Sequence, residues 1–181
     1  MPDALVPAVF LDRDGTLMHD PGYVRDPADV RLIPGVSAAL ARLKESGFAT
    51  VIVSNQSGIG RGYFTEADFL RVNARVLAEL GPGLIDRTYF CADHPDRATE
   101  RRKPGPGMLL EAAHDLGLDL ARSWMVGDRT SDLEAGRRAG VRSVLVLTGE
   151  GAHANPAGAA LVANDLVAAV DFILKHSDAS Q

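Results

Sequence analysis

Two carboxylates stand one residue apart in "FLDRDGTL": Asp12 and Asp14, with Arg13 between them and Gly15 just beyond. They follow Ala8 to Leu11, an apolar run of the kind that fills a buried strand. Like charges this close at the end of a core strand are costly unless a cation or a proton lies between them. Other apolar runs end in a similar way. "VIVSN" closes on a hydroxyl and an amide, Ser54 and Asn55, and "WMVGD" closes on Asp128. Asp12, Asp14 and Asp128 are hard oxygen ligands suited to Mg2+. Ser54, Asn55, Lys103 of "RRKPGPG" and backbone N–H groups around Arg13 to Gly15 are able to meet an oxyanion. A metal, hydrogen-bond donors and a lysine together meet the needs of phosphoryl transfer.

These groups need elements to hold them. Strand and helix signals alternate along the chain. "AVFLD", "ATVIVSN", "RTYFCA", "SWMVGD" and "RSVLVLTG" predict five strands. Helices are predicted from Val36 to Ser46, after Thr65, from about Pro106 or Gly107, after Ser131, and after Asn164. Thr65 with Asp68, and Ser131 with Glu134, fit the capping-box spacing. "TGEGAHANPAGAA" reads as a surface loop and "HSDASQ" as a frayed tail. Alternating elements with near-continuous apolar strands imply a parallel sheet covered on both faces. In such a sheet all strands deliver their carboxyl ends to one edge, and ligands bind there.

In chain order, "DRDGTL", "VSNQSGIGRG", the lysine of "RRKPGPGM" and "VGDRTSD" resemble the four motifs of the haloacid-dehalogenase-like phosphatases. "FLDRDGTL", "SNQSGIGRG" and "RKPGPGM" carry a closer similarity to the family of heptose-bisphosphate and histidinol-phosphate phosphatases. The resemblance implies an α/β, Rossmann-like three-layer sandwich with a central parallel sheet. It implies that Asp12 is the nucleophile and passes through an aspartyl-phosphate. Asp14 would be general acid and then base, binding the metal through its carbonyl oxygen. Asp12 and Asp128 would complete the Mg2+ site. Ser54 and Lys103 would stabilise the phosphoryl group, and Asn55, Arg102 and Arg61 would contact substrate.

The spacing of the motifs limits the architecture. Asp14 to Ser54 leaves room for a loop and one helix, and Ser54 to Lys103 for one helix, one strand and a loop. Neither gap holds a cap domain, so one open, capless domain over residues 1–181 is expected. Its rim would come from "MHDPGYVRDP", "SGIGRGYF" and "CADHPDRATERR". Arg61, Arg101 and Arg102 lie on two of these loops, where they could grip a second phosphate. Asp132 suits both a first helical turn, where the dipole favours an acid, and a place in the site.

Relatives in this family often hold a structural zinc with a C-x-H pair and a later C-x-C pair. Here "CADH" is followed by "DRATERRKP", so Cys91 and His94 supply at most two ligands. Structural zinc needs four, and none is expected.

Other classes fit less well. No G-x-G-x-x-G pattern or P-loop is present. A dehalogenase lacks the second aspartate, and a phosphomutase needs a closing cap. A phospho-accepting receiver domain would carry an aspartate at the end of a later strand than the first, whereas "VIVSN" and "RTYFCA" offer none. A catalytically dead binding protein would be missing a motif residue. The net charge of -5 argues against general nucleic-acid binding. The N-terminus lacks the pattern of a signal peptide, and no apolar run approaches membrane-spanning length. With one cysteine no internal disulfide can form. A cytoplasmic monomer acting on a small phosphorylated sugar or metabolite is expected, without nucleic acid or membrane.

Overall fold

Side-chain alternation along the first strand, β1 (Val6–Leu11), sets up two layers. Val9 and Leu11 point into one apolar cluster, Ala8 and Phe10 into the other, and all four are fully buried. A strand buried on both faces must be covered twice. The computed structural model describes residues 4–177 and shows how that is done.

Six parallel strands form one sheet in the order β3-β2-β1-β4-β5-β6. Besides β1 they are β2 (Ala49–Asn55), β3 (Arg87–Cys91), β4 (Leu118–Gly127), β5 (Arg142–Val146) and β6 (Leu161–Ala163). The order reverses between β1 and β4, which places a ligand crevice outside their carboxyl ends. On one face lie α1 (Val36–Glu45), part of α3 (Glu66–Leu80) and α6 (Leu166–Ser177). On the other lie α4 (Gly107–Leu116) and α5 (Thr130–Ala139). A single turn, α2 (Ser57–Gly60), follows β2 directly.

The strands and helices expected from the sequence are present, with three corrections. The sixth strand, β6, pairs with β5 through Leu161, Val162 and Ala163; three residues are too few to give a periodic signal. The helix after β4 is not capped by Ser131 and Glu134. Instead the Asp132 carboxylate accepts from the Arg129 N–H at 3.0 Å, while Glu134 pairs with Arg137 and Arg138. The last helix is capped by Asp165, whose side chain accepts from the Ala168 N–H at 2.9 Å, and not by Asn164. The Thr65–Asp68 capping box is formed as expected. Of the expected frayed tail, His176 and Ser177 end α6, and residues 178–181 lie outside the described residues.

The β1–β4 pairing shifts register between Pro7 and Val9. Proline, which has no N–H, is tolerated at such a bulge. The buried Ala8 N–H donates instead to Ser123 Oγ at 2.8 Å, and that hydroxyl donates to the Asp119 carbonyl at 2.5 Å. Ser123 is fully buried. Ser123→Ala is expected to leave the Ala8 amide unpaired and to lower unfolding free energy by about 1–3 kcal/mol. Urea denaturation of the two proteins, compared by midpoint and slope, measures this.

Candidate active site

The floor of the site is a buried ion cluster. Lys103 Nζ donates to Asp12 Oδ1 at 2.7 Å and to the Val53 carbonyl at 2.8 Å, and it lies 2.7 Å from Asp132 Oδ1. The Lys103 side chain is 2% exposed. Burial alone would lower the lysine pKa; Asp12 and Asp132 outweigh it and hold the ammonium above the usual lysine range. Burial raises the Asp12 pKa, with Lys103 opposing and Asp132 reinforcing the shift.

Asp128 is the third carboxylate. Asp12, Asp128 and Asp132 each offer an oxygen within 4.8 Å of the others. Burial, and then the nearby Asp12, push the Asp128 pKa up to about 8. Asp128 Oδ2 accepts from the Glu150 N–H at 2.8 Å, but Oδ1 is buried with no partner. An orphaned, buried carboxylate oxygen beside two more carboxylates suits a divalent cation with oxygen ligands.

Close backbone approach makes the cluster fit. Gly15 has φ +86°, and a Cβ there would overlap the Asp128 carboxylate. A Cβ at Gly127 would overlap the side chain of Asp132. Asp132 therefore fills both roles left open by the sequence: it closes the first turn of α5 through the Arg129 amide, and it flanks Lys103.

Above this floor lies a cleft of about 510 Å³, lined among others by Asp12, Asp14, Gln56, Arg102, Lys103 and Arg129. The rim loops supply Asp20, Gly22, Tyr23 and Val24 from one side and Ser57 and Gly58 from another. Tyr23 and Tyr63 meet edge to face at 4.8 Å, and Asp20 pairs with Arg129 at 3.2 Å. Between Asp14 and Ser54 the chain forms only loop, one 3-10 turn, α1 and β2, so nothing caps the cleft from there.

The expected site residues differ in what they touch. Asp12, Asp14, Asn55, Arg102 and Lys103 line the cleft. Ser54 and Asp128 are buried and are not in its lining. Asn55 has both ends of its amide engaged with the Lys103 backbone, donating to the carbonyl at 2.9 Å and accepting from the N–H at 3.0 Å. It positions the lysine while itself lining the cleft, where a substrate contact is expected. The Gly15 N–H is likewise taken by the Met18 carbonyl at 2.8 Å. Arg61 is exposed and outside the lining. Arg101 forms a fork with Glu111 and donates to the Phe90 carbonyl at 2.7 Å, so it anchors its loop.

Ser131, expected only as a helix cap, lines the cleft. Arg129 and Gln56 line it too without having been singled out from the sequence, and Gln56 carries no titratable group to draw notice.

The segment from Cys91 to Arg102 is held by hydrogen bonds. Asp93 Oδ2 accepts from the Thr99 N–H at 2.8 Å and from its hydroxyl at 2.6 Å. The Thr99 hydroxyl and amide hold the Asp93 pKa below the usual carboxylate range. His94 Nδ1 accepts from the Asp96 N–H at 3.2 Å, which also occupies that nitrogen. Cys91 is buried and free, and burial raises its thiol pKa.

A family model described as HAD-hydrolase-like matches residues 100–169. A D-glycero-beta-D-manno-heptose-1,7-bisphosphate 7-phosphatase from Yersinia pestis is 48% identical over 156 residues, covering 80% of this chain and 82% of the relative. One of the same name from Photorhabdus laumondii is 43% identical over 173 residues, covering 89% of this chain and 92% of the relative. The crystal structure of D,D-heptose 1,7-bisphosphate phosphatase from B. bronchiseptica, complexed with magnesium and phosphate, superposes with a TM-score of 0.86. It is 33% identical, and the match covers 94% of this chain and 99% of that one.

Removing Lys103 would leave two buried carboxylates without their cation. Lys103→Met is expected to destabilise the metal-free protein by about 3–5 kcal/mol. Denaturation in the presence of a chelator gives the number.

Proposed function

The chain belongs to the haloacid-dehalogenase-like phosphatases, and from that premise we propose that it removes the 7-phosphate of D-glycero-D-manno-heptose 1,7-bisphosphate. One observation carries the chemistry: Asp12, ion-paired to Lys103, sits at the floor of a cleft beside the unpartnered oxygen of Asp128. That arrangement presents a carboxylate nucleophile next to a fixed positive charge. The names of the similar proteins, together with Arg102 and Arg129 in the cleft wall, support a substrate with a second phosphate.

In the proposed first half-reaction a carboxylate oxygen of Asp12 attacks phosphorus. The bond from phosphorus to the sugar oxygen breaks, and the Asp14 carboxyl proton passes to that oxygen. In the second, water attacks the aspartyl-phosphate and gives a proton to the Asp14 carboxylate. The bond from phosphorus to Asp12 breaks, inorganic phosphate leaves, and both aspartates are restored. Asp12 and Asp128, with the Asp14 carbonyl oxygen, would hold a Mg2+ that offsets the charge of the phosphoryl group. The Asp14 carboxylate stands apart from the acidic cluster, bound by Arg13 and Gln56 at the wall of the cleft. A reducing cytoplasm is the proposed compartment, supported by the single free thiol. No helix among the described residues is long and apolar enough to cross a membrane.

Heptose 1,7-bisphosphate is expected to exceed histidinol phosphate in kcat/KM by about tenfold or more, since a charge-assisted hydrogen bond is worth about 1.5–3 kcal/mol. Asp12→Asn should abolish turnover of both esters in a protein that still folds, as circular dichroism would show. Arg102→Ala should cost more on the bisphosphate than on a small phosphate ester. A reversed preference in the unmodified protein overturns the substrate, and an active Asp12→Asn overturns the mechanism.

Mg2+ is expected to raise the melting temperature by mass action, and Asp128→Asn should remove the rise. Protons compete for the same oxygens. The rise should therefore shrink as pH falls below about 8, the value to which the Asp128 pKa is pushed. Thermal melts over a pH series, with Mg2+ and with chelator, measure both effects.

A further inference from the structure

We propose that Gln56 is a positioning residue, holding the Asp14 carboxylate in place for proton transfer to and from the substrate oxygen. The inference rests on Asp14 being the proton donor and acceptor proposed above.

The Asp14 side chain is 19% exposed, at the mouth of the buried cluster. A carboxylate there has rotamers to choose from. General acid catalysis needs it within hydrogen-bond reach of the leaving oxygen. Two groups fix it. Arg13 donates from Nε to Oδ1 at 3.0 Å and from Nη2 to Oδ2 at 3.1 Å. Its guanidinium is 1% exposed and lies over the Phe69 ring at 5.0 Å. Gln56 donates from Nε2 to Oδ2 at 2.8 Å. Arg13 adjoins Asp14 in the chain and moves with the same loop. Among the described residues, Gln56 is the only donor that reaches this carboxylate from another element.

The Gln56 end of the tie is rigid. The residue is 5% exposed and follows β2 directly, and its own N–H donates to the Cys91 carbonyl at 2.7 Å. Its Nε2 also donates to Ser54 Oγ at 2.8 Å. The Asp14 carboxylate fixes which way the amide faces, because the reverse orientation would set an oxygen against an oxygen of Asp14. Ser54 accepts this hydrogen bond and keeps its own hydroxyl proton to donate. One amide nitrogen thus sets the Asp14 carboxylate and the Ser54 hydroxyl together.

Gln56→Met keeps an unbranched side chain of similar length and removes both N–H donors. The readout is kcat/KM, which covers steps through release of the alcohol. It is measured with Mg2+ on glycerol 2-phosphate, whose alkoxide needs a proton, and on 4-nitrophenyl phosphate, whose phenolate does not. The expected loss on the alkyl ester is about 10–100-fold, no more than the roughly 10²–10⁴-fold that proton transfer contributes. The loss on the aryl ester should be about tenfold smaller. In an Asp14→Asn background, Gln56→Met should add no further alkyl-selective loss. Gln56→Glu, which keeps the shape but sets an acid against Asp14, should show the same selectivity and serves if the methionine variant does not fold. Equal losses on the two esters, or no loss on either, overturn the proposal. An unmodified protein that hydrolyses neither these esters nor heptose 1,7-bisphosphate refutes the phosphatase mechanism itself, whereas an unchanged alkyl-to-aryl ratio in an active variant refutes only the role of Gln56.

Discussion

The ammonium of Lys103 lies between the carboxylates of Asp12 and Asp132, with no more than 8% of any of these side chains exposed. Charges taken out of water this completely must be compensated where they stand. One ammonium does not balance three carboxylates, and Asp128 is the group left over. Burial, and then the neighbouring Asp12, raise its pKa, and one of its oxygens is buried without a partner. A protonated Asp128 or a bound cation relieves the imbalance. The buried carboxylates thus outnumber the buried ammonium, an arrangement that suits a divalent cation.

Much of the surrounding structure serves this arrangement. β1 and β4 sit side by side at the reversal of strand order, so Asp12 and Asp128 emerge next to each other. Gly15 and Gly127 let backbone and carboxylate approach where any side chain would intrude. Lys103 comes from a distant loop, and Asn55 grips its backbone through both ends of one amide. The loop before it is stiffened by the Asp93–Thr99 clasp and by Arg101 on Glu111 and Phe90. These bonds hold Arg102 at the edge of the cleft.

The rim shows how an uncapped site can still be shaped. Loops from three parts of the chain meet around it, joined by Tyr23 against Tyr63 and by Asp20 against Arg129. Each contact is weak on an exposed surface, about 0–1 kcal/mol for the ion pair. Together they tie the first loop to two others. The cationic side chains among the lining are Arg102, Lys103 and Arg129.

The sequence alone determined the layers and most of the site. Apolar runs closing on Asp12, Ser54 and Asp128 are local patterns, and strand periodicity does not depend on what the strand packs against. The Thr65–Asp68 cap was legible for the same reason, as its partners are three residues apart. The roles of Asp132, Asn55 and Gln56 were decided only by tertiary structure. Asp132 acts on Lys103, 29 positions away along the chain, and Asn55 on the same residue across a separation of 48. Gln56 reaches Asp14 across 42. An amide has no charge or titration to mark it in a sequence, and its meaning depends on which groups the fold sets within 3 Å of it. The same holds for Arg61 and Arg101: both are cations on rim loops, and only the path of the chain leaves one in solvent and turns the other onto Glu111.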